Sequence, residues 1–132
     1  MNHTSTTVAL GRQRYVSLTT FKRDGSPVAT PVWITPDGDA LVVTTPAWSY
    51  KVGRLRHDPR VLLVPCSRTG RTDPDHEPVP GTAEIVTDPA PVARMTDLVR
   101  HKYGLEYRLF MLVERLATRG RRRDRVMLRI TL

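Results

Sequence analysis

The chain has a single cysteine, Cys66, among 132 residues, so it cannot form an internal disulfide. Aromatic residues make up only 6% of it, thin for a platform on which single-stranded nucleic acid stacks. No apolar run approaches the ~18 residues that a membrane-spanning helix needs. Met1 to Val8 has neither the basic start nor the apolar centre of a signal peptide. With the lone cysteine, this gives the expectation of a soluble, cytoplasmic protein. Also missing are a glycine-rich phosphate loop, a His-Glu-x-x-His pair, a Cys-x-x-Cys pair and a nucleophile elbow. His3, His57, His76 and His101 are scattered without metal-ligand spacing. His76 stands in a polar loop with Asp73, Asp75 and Glu77, and these read as solvated residues rather than a metal clip. Cys66 ends an apolar strand and reads as a small core residue, not a nucleophile. No general base stands out, so no catalytic residue and no metal ligand is assigned. If the protein is an enzyme, a cofactor carries the reaction.

What the chain does have is positive charge. Lys and Arg total 21 against 13 acids, a formal net charge of +8 with a pI near 10.5. That balance favours an anionic partner, either nucleic acid or an anionic small molecule. The length suits one domain, residues 1–132, with a core of its own. Residues 1–12 are polar, show no core pattern and are expected to fray.

Arg14–Phe21 alternates as a strand, Asp24-Gly25 marks a hairpin tip, and Pro27–Thr35 is the return strand, interrupted at Pro31. Proline inside a strand signals an edge or a bulge. Pro36–Asp39 turns the chain into a third strand at Leu41–Thr45. Further strands are expected at Arg60–Cys66, Val79–Thr87 and Val126–Leu132, with 67–80 as loop. A helix starting at Asp88 carries Val92, Met95, Leu98 and Val99 as its stripe and is broken by Gly104. A second, Leu105–Leu116, is expected to turn Leu109, Leu112, Val113 and Leu116 inward. The run Arg119–Arg125, with five arginines, reads as a solvated basic turn. Six strands without β-α-β alternation argue against a Rossmann fold and for a mainly β (α+β) antiparallel barrel with peripheral helices.

The most informative stretch joins the third and fourth strands. Pro46 ends a strand, Ser49 is a good N-cap, Val52 and Leu55 form a short apolar stripe, and Asp58-Pro59 ends the helix. Lys51 then lies in the first turn, at the positive end of the helix dipole, a mildly unfavourable place for a cation. Two readings stand for it. It snorkels to water from a surface helix, or it joins free backbone N–H groups and the hydroxyls of Thr44, Thr45 and Ser49 in a cradle for a phosphate. Trp33 and Trp48 flank the two distinctive loops; they suit plain core or a ring-bearing ligand beside the cradle.

Tyr15-Val-Ser-Leu-Thr-Thr-Phe21, Asp24-Gly-Ser-Pro-Val-Ala-Thr-Pro-Val-Trp33, Thr45 with Ser49-Tyr-Lys-Val52, Leu55-Arg-His-Asp-Pro-Arg-Val61 and Gly81-Thr-Ala83 together resemble the pyridoxamine-phosphate-oxidase-like split β-barrel family. The likeness runs over about residues 12–87. It is greatest to the actinobacterial branch that uses the deazaflavin coenzyme F420. The resemblance implies a six-stranded Greek-key split barrel of the FMN-binding type that dimerises, with cofactor in a groove at the dimer interface. By matching positions, Ser49 and Lys51 hold the cofactor phosphate with Thr44 and Thr45 alongside, and Thr30, Pro31, Val32 and Trp33 line the ring. Arg54 and Arg56 fall near the same groove, toward the cofactor's acidic tail. Gly53 departs from the pattern, where the family often has a longer polar residue.

FMN, F420 and haem are all bound on this fold, so fold does not choose among them. The basic excess favours the more acidic F420, which implies hydride transfer to an unsaturated or carbonyl-containing organic acceptor; FMN is the alternative. Two other readings stand: a non-catalytic cofactor carrier, and a basic nucleic-acid-binding barrel. Against the last, the chain has neither a helix-turn-helix signature nor an aromatic-rich surface pattern.

Overall fold

The computed structural model describes residues 3–118 and 124–132. Strands β1 (Tyr15–Phe21), β2 (Pro27–Trp33), β3 (Thr35–Asp37), β4 (Ala40–Pro46), β5 (Arg60–Pro65), β6 (Val79–Val86) and β7 (Arg125–Thr131) form one sheet. Helices α1 (His3–Gly11), α2 (Tyr50–His57), α3 (Pro89–Tyr103) and α4 (Leu105–Thr118) lie around it. All pairings are antiparallel, in the order β2-β1-β5-β6-β7-β4-β3.

That order forces the sheet to curl. Its two edge strands, β2 and β3, are consecutive in the chain with only Ile34 between them. In a flat seven-stranded sheet the edges would stand roughly 29 Å apart, six strand spacings. One residue reaches no more than about 7 Å. The sheet therefore closes on itself as a split barrel, with seven strands where the sequence suggested six. The extra strand arises because the expected run Pro27–Thr35 breaks at Ile34. There the Ile34 N–H leaves the ladder and donates to the Tyr103 hydroxyl at 3.0 Å. Pro31 sits in edge strand β2, where its missing N–H disturbs least.

Val16, Leu18, Ile34, Leu41, Val43, Leu63, Leu128 and Ile130 fill the barrel interior, joined by Leu55 of α2. Val42 and Met127 point the other way, under Met95, Val99 and Tyr103 of α3. Strand β4 is thus buried on both faces, which is why Leu41-Val-Val43 is a continuous apolar run rather than an alternation.

Two expectations about the helices are corrected. Of the residues expected to fray, His3–Gly11 instead form α1, which buries Leu10 in the barrel core. Lys102 Nζ donates to the carbonyls of Gly11 at 2.9 Å, Gln13 at 2.5 Å and Ile34, tying α1 to the open seam. These contacts come from residues some 90 positions away, invisible in a polar sequence with no helical stripe. The second correction concerns α4. Leu109, Leu112, Val113 and Leu116 face outward, 52–67% exposed. The inward contacts come instead from Tyr107, which packs on the α3 cluster, and Phe110, which meets Trp33.

Candidate functional site

Helix α2 forms as its residues suggest. Ser49 is the N-cap, its Oγ accepting the Lys51 N–H at 3.3 Å, and Val52 and Leu55 are buried beneath it. Its two flanks look onto two different grooves.

The first groove, about 660 Å³, lies between β2, the ends of β4 and β7, and α4. Pro31, Val32, Trp33, Thr44, Thr45 and Lys51 line it, and Leu109, Phe110 and Val113 form the opposite apolar wall. Trp33 is held flat by stacking on Tyr103, with centroids 4.3 Å apart and planes 11° apart. Tyr103 is itself fixed, its hydroxyl donating to Arg14 O at 2.7 Å; burial above all pushes that phenol up to about 12. Thr45 is only 2% exposed, and its Oγ1 is buried with no hydrogen-bond partner.

Lys51 has no carboxylate within 4.0 Å among the described residues. Its ammonium is held below the ordinary lysine range, first by burial and then by the nearby charges of Arg54 and Arg125. A cation that is desolvated, faces other cations and lacks a carboxylate partner is poised to gain from an anion.

Arg125 is the residue that sequence reasoning missed. Residues 119–123 of the basic run fall outside the described residues, but Arg125 is no part of a solvated turn. It opens β7 opposite Pro46, and its side chain is 12% exposed. Its Nε donates to Thr44 Oγ1 at 3.0 Å, and its Nη1 binds both oxygens of Glu114 at 2.5 and 2.6 Å. Glu114 thereby neutralises Arg125, while Lys51 stays uncompensated. Nothing local to an Arg-rich segment distinguishes its last member; the partners lie on β4 and α4. At another part of the same groove, Glu106 accepts from Arg14 and, at 3.1 Å, from the Tyr15 hydroxyl. Arg68 also lines the groove.

The second groove, about 510 Å³, lies on the other flank of α2. Ser49, Arg54 and Arg56 line it with Lys22, Arg23, Trp48, Tyr50, Gly53 and His57. Ser49 and Lys51, two residues apart, therefore serve different grooves, and Arg54 and Arg56 share the second, not the ring-lining one. Arg54 Nε donates to Thr20 Oγ1 at 2.6 Å. Gly53 leaves the helix surface bare there, since a Cβ at that position meets nothing within 4 Å. Thr30 lines neither groove, and its Oγ1 is buried without a partner.

Comparison with known proteins now bears on this geometry. The sequence profile of pyridoxamine 5'-phosphate oxidase matches residues 6–132. The chain belongs to that family. Among solved structures it is similar to the conserved hypothetical protein Rv2991 from Mycobacterium tuberculosis, 27% identical over 98% of this chain and 79% of that one, TM-score 0.68. It is also similar to an F420 reductase, 23% identical over 92% and 88% of the two chains, TM-score 0.57. A third likeness is to a pyridoxamine 5'-phosphate oxidase-related, FMN-binding protein from Nostoc punctiforme, 17% identical over 98% and 75%, TM-score 0.59. These last two likenesses are of fold. A search of curated protein sequences found no match. Within the family's split barrel, the described helices include none long and apolar enough to cross a membrane.

Proposed function

We propose that this protein is an F420-dependent oxidoreductase. It would move a hydride between the reduced deazaflavin and a small unsaturated or carbonyl-containing organic acceptor. The single observation that carries this reading is Lys51: a partly buried ammonium, without a carboxylate partner, at the edge of a groove with flat apolar walls. The donor set fits a phosphorylated, ring-bearing cofactor. Lys51 meets the phosphate, with the unpartnered Thr45 Oγ1 and the Thr44 hydroxyl alongside. Pro31, Val32 and Trp33 hold the ring from β2, and Leu109, Phe110 and Val113 shield it from α4. When bound, the cofactor supplies the hydride, and a proton from solvent completes reduction of the acceptor. The chain's own part is to orient the ring and exclude water from one face of it.

The second groove supports F420 over FMN in this reading. Lys22, Arg23, Arg54 and Arg56 gather there with no carboxylate within 4.0 Å among the described residues. Arg54 and Arg56 would hold the carboxylates of the cofactor's glutamate tail, beside the helix that Ser49 caps. FMN carries no such tail.

The working form is a homodimer. Leu109, Phe110 and Val113 line the groove yet remain exposed, and the same helix presents Leu105, Leu112 and Leu116. A continuous apolar helix face that borders an open groove suits a second copy that covers both. Fluorescence titration with F420 and FMN side by side tests the assignment. Tighter binding of F420 supports it, tighter binding of FMN moves the chain to flavin chemistry, and binding of neither refutes a cofactor role.

A further inference from the structure

Two ion pairs reach the first groove, Arg125 with Glu114 and Arg14 with Glu106, through the lining residues Arg125 and Glu106. Glu106 and Glu114 are eight residues apart on α4, which separates the pairs by ~12 Å along the helix axis. One spare cation accompanies each pair. Lys51 goes with Arg125, whose charge reaches it. Arg68 goes with Glu106, whose carboxylate feels it. Among the described residues Arg68 makes no hydrogen bond and has no carboxylate within 4.0 Å; Glu106 is already taken by Arg14 and Tyr15.

The backbone turn that carries the exposed Arg68 is held in place. It is stapled by Ser67 N–H to Arg71 O at 2.9 Å, Gly70 N–H to Ser67 O at 2.9 Å and Arg71 N–H to Ser67 Oγ at 3.0 Å. Gly70 has φ +91° and lies beside Pro31, whose ring a Cβ there would meet at 3.6 Å, ordinary van der Waals contact. The turn is thus packed onto the very strand that faces the cofactor ring. A guanidinium on a rigid turn offers paired N–H donors to a planar, two-oxygen anion.

We infer that the Glu106 end of the groove is the acceptor's subsite, and that Arg68 there selects an acceptor bearing a carboxylate. This rests on the cofactor reading above, which gives the Lys51 end to the phosphate and the middle to the ring. The acceptor class is then an unsaturated carboxylic acid whose double bond is presented to the ring while its carboxylate is held by Arg68. Tyr15 and Glu106 line the subsite, and Glu106 is held by Arg14 and Tyr15 rather than by Arg68.

The test uses trans-cinnamate and its uncharged methyl ester as paired probes. Their binding is measured by calorimetry to the full chain, with and without oxidised F420, in wild type, Arg68→Ser and Arg68→Lys. Wild type should prefer the acid by about tenfold or more, the scale of one charge-assisted contact. Arg68→Ser should reduce that preference to within about twofold, Arg68→Lys should restore part of it, and F420 affinity should change by less than twofold. No preference in wild type, or an undiminished preference in Arg68→Ser, overturns the proposal. So does a large loss of F420 affinity in Arg68→Ser, which assigns the arginine to the cofactor. If F420 fails to bind wild type at all, the cofactor reading falls, while the preference measured without cofactor still decides whether Arg68 is a carboxylate site.

Discussion

Lys51 and Arg125 face one groove, and the charge of Arg125 helps hold the Lys51 ammonium below the ordinary lysine range. The two cations differ in their partners. Arg125 is bound twice over to Glu114, whereas Lys51 has no such counter-charge among the described residues. An anion entering the Lys51 end of the groove therefore meets one positive charge already neutralised and one free.

A pH dependence follows with a definite sign. Burial and the neighbouring arginines lower the Lys51 pKa, so the free protein loses this charge at a lower pH than an ordinary lysine. Affinity for the cofactor phosphate should be full below that pKa and fall as pH rises through it, beginning below the usual 10.5. Lys51→Arg, which keeps its charge, should abolish the decline. Cofactor titrations from neutral pH up to the ordinary lysine pKa of 10.5 check this; parallel curves for the two proteins over that whole range would remove Lys51 from the anion contact. For folding the linkage runs the opposite way, since a cation whose pKa is lowered on folding makes stability rise with pH between the folded and unfolded values.

Arg54 and Arg56 provide the contrast between cofactors. Replacing both with Ser should weaken F420 binding by about tenfold or more if they hold its carboxylates, and leave FMN affinity nearly unchanged. An equal loss for both ligands would place these arginines at the shared phosphate. No loss for either would make the second groove irrelevant to the cofactor.

The apolar face of α4 predicts the assembly. Leu112→Glu and Leu116→Glu alter side chains that are 52% and 67% exposed and lie outside the groove lining. As a pair they should convert a dimer to a monomer in light scattering at micromolar concentration, with little loss of secondary structure. Cofactor affinity should fall with them, because the groove is left open. A wild-type monomer would contradict the assembly at once.

Tyr103 should be the most costly single hydroxyl to remove. It accepts the Ile34 N–H and donates to Arg14 O at the barrel seam, while its ring supports Trp33. Tyr103→Phe leaves buried backbone groups unpaired, a loss of about 1–3 kcal/mol. Chemical denaturation measures it, and an unchanged midpoint would mean that water replaces the hydroxyl. At alkaline pH the wild type should lose stability between the ordinary tyrosine pKa of 10.0 and about 12, as the unfolded phenol ionises and the folded one does not.

Strand and helix locations were legible wherever local chemistry decides them: Asp24-Gly25 at a hairpin tip, Ser49 as a cap, Gly104 as a break. The split at Ile34 was not, because it depends on Tyr103 and Lys102, about 70 residues further on. In the candidate site, Pro31 to Trp33, Thr44, Thr45 and Lys51 line one groove; it was the likeness to the family, not spacing, that put Pro31 to Trp33 beside Lys51. Arg54, three residues on from Lys51, shares its side of α2 and acts on it as a nearby charge, but its Nε is drawn to Thr20 in the second groove; Arg56, five residues on, turns away from that flank. Leu109, Leu112, Val113 and Leu116 misled for a different reason. An apolar stripe announces burial but does not say whether the covering surface belongs to the same chain.

The central claim is that Lys51 holds a cofactor anion, and fluorescence titration of wild type and Lys51→Ala with F420 at low and high salt tests it most directly. Losing a charge-assisted contact of ~1.5–3 kcal/mol should weaken binding about ten- to a hundredfold. Added salt should weaken the wild type more than the variant. The melting temperature should hold or rise slightly, since the substitution removes a desolvated cation from the first turn of α2, near Arg54 and Arg125. Equal affinity and equal salt dependence in the two proteins, with both folded, would contradict the account.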